Sequence, residues 1–428
     1  MTEELAIYGG EKTVPDGMIQ KWPPIDDTDR KMVMDSLEGE KHAYGPNNQG
    51  FEKEFPEWNG NEFGIMTNSG TAALHMAVAA CGVGAGDHVL APAYSWSSSA
   101  TCIIHHNAIP VFVDIDWETM NIDVDKLEEA ITPRTKAIIA VHLHGLAVNM
   151  EKVMEVARRH DLKVIEDACQ SHGARYNGQK VGTMGDCAAF SFNQNKCLCS
   201  GEGGIFVTND QELRDGAAKL WNFGETRTPA QDRDYHAYAL GWMYRPPDMT
   251  AAFARAQLQK LDGYIETQRE NASVLNERLA DVDGLLLPTE PEDHTHVWYN
   301  YTSRIDMEAI GWDGDPARMR DAIMAAISAE GAQPGTWQTW ILPAMTVFQA
   351  KNAYGDGCPW ACRDAGAEVE YDPDDYPVAR KHSATHYGMT TPLRAPNGTD
   401  LAHRVADAVE KVFDNIDRID PEKVEAAK

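Results

Sequence analysis

The chain has 428 residues, with 38 Lys+Arg against 66 Asp+Glu and a formal charge of −28. A surface this acidic repels nucleic-acid phosphates, and no apolar run approaches the roughly 18 residues that span a bilayer, so nucleic-acid and membrane roles are both disfavoured. Hydrophobic and aromatic fractions of 43% and 8% suit a folded enzyme of two domains rather than a disordered chain.

The start, Met1-Thr2-Glu3-Glu4-Leu5, has no apolar signal core, so a cytoplasmic location is expected. The acid excess would also suit a salt-rich cytoplasm, where screening weakens self-repulsion. Eight cysteines in such a chain read as reduced thiols. Neither Cys197-Leu198-Cys199 nor the Cys358 and Cys362 pair has the Cys/His partners of a zinc site.

In chain order, residues 1–30 read as an irregular arm, followed by a helix near 52–58. Gly64-Ile65-Met66-Thr67 then leads through Asn68-Ser69-Gly70-Thr71 into an alanine-rich helix. Strands are expected at 88–91, 109–114, 137–141, 163–167, 188–192 and 204–208, with helices at 125–131 and 150–160 between them. Strands alternating with helices predict an α/β fold: a mostly parallel sheet covered on both faces, with ligands outside the carboxyl ends of its strands. Beyond about 250 the pattern changes to helices at 250–260 and 265–280, a strand at 298–301 and a helix at 316–330. An irregular stretch at 343–378 and an amphipathic helix at 399–415 close the chain. The division expected is a large domain over 1–250, with the N-terminal arm, and a smaller C-terminal α+β domain over 251–428.

The chemistry centres on Lys196, which follows the apolar Ala189-Phe190-Ser191-Phe192 and precedes Gly201-Glu202-Gly203-Gly204. A lone lysine is ordinarily a solvated charge. A lysine between a buried strand and a glycine turn can instead lose solvation, form an imine and move protons. Asp167 ends the run Lys163-Val164-Ile165-Glu166, and a carboxylate at a buried strand tip needs a partner. A pyridinium N–H would supply one, although an aspartate there can also cap a helix. The side chain of Glu166 should face the other way. Gln170 could reach a ring oxygen. Ser69, Gly70 and Thr71 stand before a helix N-terminus, which is a phosphate cup or an ordinary capped turn. Ser191 could add a hydroxyl to it, and Trp96 could stack on a ring or pack in the core. Together these are the requirements of a pyridoxal 5'-phosphate (PLP) site.

Taken in order, these motifs resemble the DegT/StrS-type sugar aminotransferases, a branch of the fold type I PLP enzymes. Tyr8-Gly9-Gly10, Gly82-Val83-Gly84-Ala85-Gly86-Asp87, Thr132-Pro133-Arg134-Thr135-Lys136 and Val141-His142 extend the resemblance over nearly the whole chain. It implies Lys196 as the Schiff-base lysine and proton shuttle. Asp167 would pair with the pyridinium nitrogen and Gln170 contact the ring oxygen. Ser69, Gly70, Thr71 and Ser191 would hold the phosphate, with Trp96 stacked on the ring. It also implies a homodimer with shared active sites, and amino transfer from glutamate or glutamine to a keto-sugar or cyclic polyol ketone (inosose-like).

Two departures stand out. Asn193 occupies a position where nucleotide-sugar relatives carry histidine. Gly241-Trp242-Met243-Tyr244-Arg245 has methionine where an asparagine reaches toward the neighbour's phosphate, which leaves Arg245 as the candidate for that contact. The region from Tyr376 to His386 resembles the closing part of the cyclitol aminotransferases, and Trp337-Gln338-Thr339-Trp340 is a candidate wall of the acceptor pocket. Dehydration or elimination on a sugar, a broad amine transaminase and a non-catalytic regulatory homologue are the alternatives. The dehydrating relatives replace the lysine with histidine, so Lys196 argues for transamination.

Overall fold

The computed structural model of the protein describes residues 4–226, 235–366 and 369–427. The first three residues of the acidic start, and residues 367 and 368 of the irregular stretch, lie outside them.

Seven strands form the main sheet: β1 (Phe63–Thr67), β2 (His88–Pro92), β3 (Ile109–Val113), β4 (Thr135–Val141), β5 (Lys163–Asp167), β6 (Cys187–Ser191) and β7 (Gly204–Thr208). Their spatial order is β1-β7-β6-β5-β4-β2-β3. The ladder is parallel from β3 to β6, and only β7 runs against its neighbours. Strands buried on both faces need continuous apolar runs, which is why Ile138, Ile139, Val164 and Ile165 are each fully buried.

A second, antiparallel sheet joins β8 (Leu285–Leu286), β9 (Tyr301–Ile305) and β10 (His386–Met389). It packs with helices Leu261–Leu279, Pro316–Ala329 and Thr399–Phe413 around a buried cluster that includes Leu275, Ile323 and Val409. Leu5 and Val14 of the N-terminal arm belong to the same cluster. No helix among the described residues is long and apolar enough to cross a membrane.

Two expected elements differ. Residues 298–301 do not form a strand along their length; β9 starts at Tyr301. Trp298 sits in the left-handed region at φ 54° with its ring stacked on His296 at 3.8 Å, and that turn breaks the extended run. The arm is also not irregular to residue 30. Asp26 and Asp29 form a capping box that opens helix Asp27–Glu38. This helix carries no apolar stripe and docks through polar contacts. Gln257 donates to Asp29 at 2.7 Å, Lys260 reaches Asp29 at 2.6 Å, and Ser36 donates to Asp248 at 2.7 Å.

Glu166 anchors the middle of the sheet from the face opposite Asp167, as strand alternation requires. It is fully buried and accepts from His142 Nε2 at 2.9 Å and from the N–H groups of Gly182, Met184 and Gly185. Since His142 Nδ1 accepts from Val148 N at 3.0 Å, the ring proton sits on Nε2. Burial pushes the Glu166 carboxyl up, but the His142 hydrogen bond and the Gly185 and Gly182 N–H groups outweigh it and hold it below its usual value. A lowered folded value means this stabilisation is present above the unfolded value of about 4.3 and is lost as pH falls through the folded one. Glu166→Gln turns an NH2 toward donors and should cost about 3–5 kcal/mol at pH 7. Urea unfolding should show that gap narrowing on acidification; a gap constant down to pH 3 would contradict the assignment.

Candidate active site

The carboxyl ends of the parallel strands open into a cavity of about 950 Å³, within the range of small-molecule sites. Eight of the residues singled out in the sequence line it: Ser69, Gly70, Thr71, Trp96, Asp167, Gln170, Ser191 and Lys196. Arg245 does not; its guanidinium lies over the Phe223 ring at 5.4 Å.

β1 delivers the turn. Ser69 caps helix Gly70–Ala80, its Oγ accepting from Ala72 N at 3.1 Å. The first N–H groups of that helix have no intrahelical acceptor and carry the positive end of its dipole. A Cβ on Gly70 would lie 2.6 Å from Ser191 Cβ and 3.0 Å from Cys169 Sγ, so the turn is pressed against β6 and only glycine fits. This closeness brings Ser191 to the same end of the cavity.

β5 delivers Asp167, which is 5% exposed. Its Oδ2 accepts from Ser99 Oγ at 2.7 Å and its Oδ1 from Cys169 N at 3.2 Å. Ser95 Oγ lies 2.7 Å from Ser99 Oγ and extends the chain. These donors are neutral, and no described cation lies within ion-pair distance, so a buried anion faces the cavity with its charge uncancelled. Gln170 Oε1 accepts from His144 N at 2.9 Å, which leaves the Gln170 NH2 as the group offered to the cavity.

Lys196 follows β6 and is half-buried. Its Nζ stands 4.8 Å from the Tyr299 ring centre, and no carboxylate lies within ion-pair distance among the described residues. Asn193 donates to Glu202 Oε1 at 2.8 Å beside it. A free amine, a buried uncompensated carboxylate, an amide donor and a helix-start anion cup are the four contacts that PLP needs, so the residues present fit this cofactor.

Several lining residues were not foreseen from sequence. Ser99 is one of three consecutive serines, and nothing local distinguishes it. Asn300 stands just before β9, and Thr390, Thr391 and Arg394 follow β10. Lys21 and Trp22 come from the arm; of the wall expected from residues 337–340 only Trp337 lines the cavity, with Gly335 before it, while Gln338, Thr339 and Trp340 do not. Gly335 exchanges both backbone hydrogen bonds with Gly388, which ties that wall to β10.

Comparison with known proteins agrees with this geometry. Residues 23–359 match the DegT/DnrJ/EryC1/StrS aminotransferase family. A protein of Micromonospora echinospora provisionally named L-glutamine:3-amino-2,3-dideoxy-scyllo-inosose aminotransferase is 34% identical, over 97% of this chain and 98% of its own length. GDP-perosamine synthase of Caulobacter vibrioides is 39% identical over 62% of this chain and 74% of its own. Among solved structures, 3-amino-5-hydroxybenzoic acid (AHBA) synthase superposes with a TM-score of 0.80 at 27% identity, covering 93% of this chain and 99% of that one. DesV of S. venezuelae, in complex with a ketimine intermediate, gives 0.78 at 28%, covering 92% and 95%. The expected fold, a mostly parallel sheet flanked by helices, is that of these aminotransferases. The protein belongs to the DegT/DnrJ/EryC1/StrS family of pyridoxal phosphate-dependent aminotransferases.

Proposed function

We propose that the protein moves the amino group of L-glutamine or L-glutamate to a keto-sugar or cyclic polyol ketone, with a cyclitol as the favoured acceptor. The observation that carries this is the pairing, in one cavity, of the unpartnered Lys196 amine with a buried Asp167 that lacks a cation. Bound there, PLP supplies the electron sink that stabilises charge developing at the donor's α-carbon. Asp167 holds the ring nitrogen, oriented by Ser99 and Cys169 N. Gln170 donates to the ring oxygen, Ser69, Gly70, Thr71 and Ser191 hold the phosphate, and Trp96 covers the ring. Lys196 would take the proton from the donor's α-carbon and return it two atoms along, to the carbon on the far side of the transferring nitrogen. Tyr299 and Trp337 line the cavity around it.

The cyclitol preference rests on the mouth of the cavity. Glu202 lines the cavity bonded to Asn193, and an exposed carboxylate there is a poor neighbour for a nucleotide diphosphate. The Micromonospora relative, similar end to end, carries a cyclitol in its name. We further propose a homodimer with shared sites, in which Arg245 reaches the neighbour's phosphate. Phe223, Tyr238, Leu240 and Met243 are 41–74% exposed around it, a run of apolar surface that a second chain would cover. The chain then divides into a large domain over 1–250 and a smaller one over 251–428.

The test is an absorbance spectrum of the purified, PLP-loaded protein during titration with L-glutamine and L-glutamate. A near-visible band that converts to the pyridoxamine form with one donor is expected, and a keto-cyclitol should then restore it. A protein that stays colourless after PLP is added would sink the reading.

A further inference from the structure

The segment from Gly335 to Leu342 carries Trp337 into the cavity, and hydrogen bonds hold it at three points. Gly335 exchanges backbone bonds with Gly388 at 2.9 and 2.8 Å, and Leu342 N donates to Ala93 O at 2.7 Å. Those two are backbone contacts. The third depends on one side chain: Tyr94 Oη donates at 2.9 Å to the carbonyl of Gln338, the residue after Trp337. Tyr94 is fully buried, and its ring meets the Trp337 ring edge-on at 5.7 Å.

The same hydroxyl has a second acceptor. His386, the first residue of β10, is also fully buried. Its Nδ1 lies 2.9 Å from the carbonyl of His382, and a carbonyl only accepts, so Nδ1 carries the ring proton. Burial, with the charge of Arg320, pushes the ring down to about 4, so near neutral pH it holds no second proton. Nε2 is then a bare acceptor, 3.1 Å from Tyr94 Oη. One hydroxyl proton therefore serves two acceptors. Turned to Gln338 it holds the wall, and turned to His386 it releases the wall while staying paired inside the core. Gln338 is only half-buried, so its freed carbonyl can turn to water. Switching thus leaves no buried donor unsatisfied.

We propose that Tyr94 is a positioning residue for the acceptor: its hydroxyl latches the 335–342 wall, with Trp337 in place, over a bound cyclic polyol ketone. The proposal rests on the aminotransferase reading and adds how the acceptor is held. The stretch that lines the cavity here, Gln333 to Trp337, has no charged side chain. It offers no counter-charge to the carboxylate of an amino acid. The Trp337 ring suits the C–H face of a polyol ring, and Thr336 can pair with a hydroxyl. The wall therefore acts in the acceptor half-reaction and not in the donor one.

Tyr94→Phe keeps the ring and removes the latch. In the pyridoxamine-loaded protein it should raise the keto-cyclitol concentration needed for half-maximal rate by about 2- to 12-fold, the range for one neutral hydrogen bond. The maximal rate and the half-reaction with L-glutamine should be unchanged. Hydrogen exchange of the full-length protein supplies a readout that does not depend on activity. The 335–342 peptide should exchange faster in Tyr94→Phe. It should exchange more slowly in His386→Leu, where the hydroxyl keeps only Gln338 O. An unchanged acceptor requirement in Tyr94→Phe would overturn the assignment, as would equal losses in both half-reactions or wall exchange unaltered in both variants. Should a variant fail to fold, wild-type exchange decides: the 335–342 peptide should open more readily than β10, and equal protection would overturn the latch. A wild-type protein that responds to no amino acid would instead sink the aminotransferase reading, while the exchange rates would still show whether Tyr94 holds the wall.

Discussion

Lys196→Ala should abolish turnover while leaving the protein folded and able to hold PLP. The two halves of that expectation come from different features. Turnover falls because no other amine among the described residues stands where Lys196 does: Arg394 cannot lose a proton near neutral pH, and Lys21 sits on the exposed arm. Losing a positioned proton carrier alone costs about 10²–10⁴-fold, and losing the covalent attachment adds to it. Folding is spared because Lys196 makes no ion pair among the described residues and only an aromatic contact with Tyr299. Its removal should change stability by less than about 1 kcal/mol. PLP is retained because the cup built from Ser69, Gly70, Thr71 and Ser191 does not involve the lysine. The measurement is single-turnover spectroscopy with L-glutamine beside a urea melt. Full turnover in the variant would refute the proton-carrier role. A variant that unfolds would show that Lys196 supports the structure instead.

How much of this site was legible in the sequence depended on how local each feature is. β5 and β7 run between the expected residues, since an apolar run bounded by polar ends is a short-range signal. Helix Met150–His160 was equally readable, with Asn149 capping its start and Asp161 in the left-handed conformation at its end. Lys196, Asp167 and the Ser69-Gly70-Thr71 turn could be found because each sits at a strand end, where a parallel sheet gathers its ligands. Helix Asp27–Glu38 was missed because it docks by hydrogen bonds to Asp248 and Gln257, more than 200 residues away, and leaves no hydrophobic period to read. Arg394 was missed for a similar reason. Within Thr391-Pro392-Leu393-Arg394-Ala395-Pro396 it resembles a surface arginine, and only the fold places it beside Asn195. Contacts between residues 195 and 394 leave no mark on either neighbourhood.

Asp167→Asn should separate stability from function by moving them in opposite directions. In the cofactor-free protein this carboxylate is buried with neutral donors only, Ser99 Oγ and Cys169 N. A buried charge without a counter-charge is destabilising; an amide of the same shape removes that charge while its oxygen still accepts from Cys169 N and the Ser99 hydroxyl turns to accept from its NH2. The cofactor-free variant should therefore be as stable as wild type or more so, by about 1 kcal/mol or more. With PLP present the sign reverses. The carboxylate then has a cationic partner, and losing that charge-assisted hydrogen bond costs about 1.5–3 kcal/mol, or roughly 10- to 150-fold in PLP affinity. Turnover should fall further, because an asparagine cannot keep the ring nitrogen protonated while charge develops on the substrate. Urea midpoints of the two cofactor-free proteins and PLP titrations of each give both signs. Destabilisation of the cofactor-free variant, with unchanged PLP affinity, would mean that Asp167 serves β5 and the Ser95–Ser99 chain rather than the cofactor.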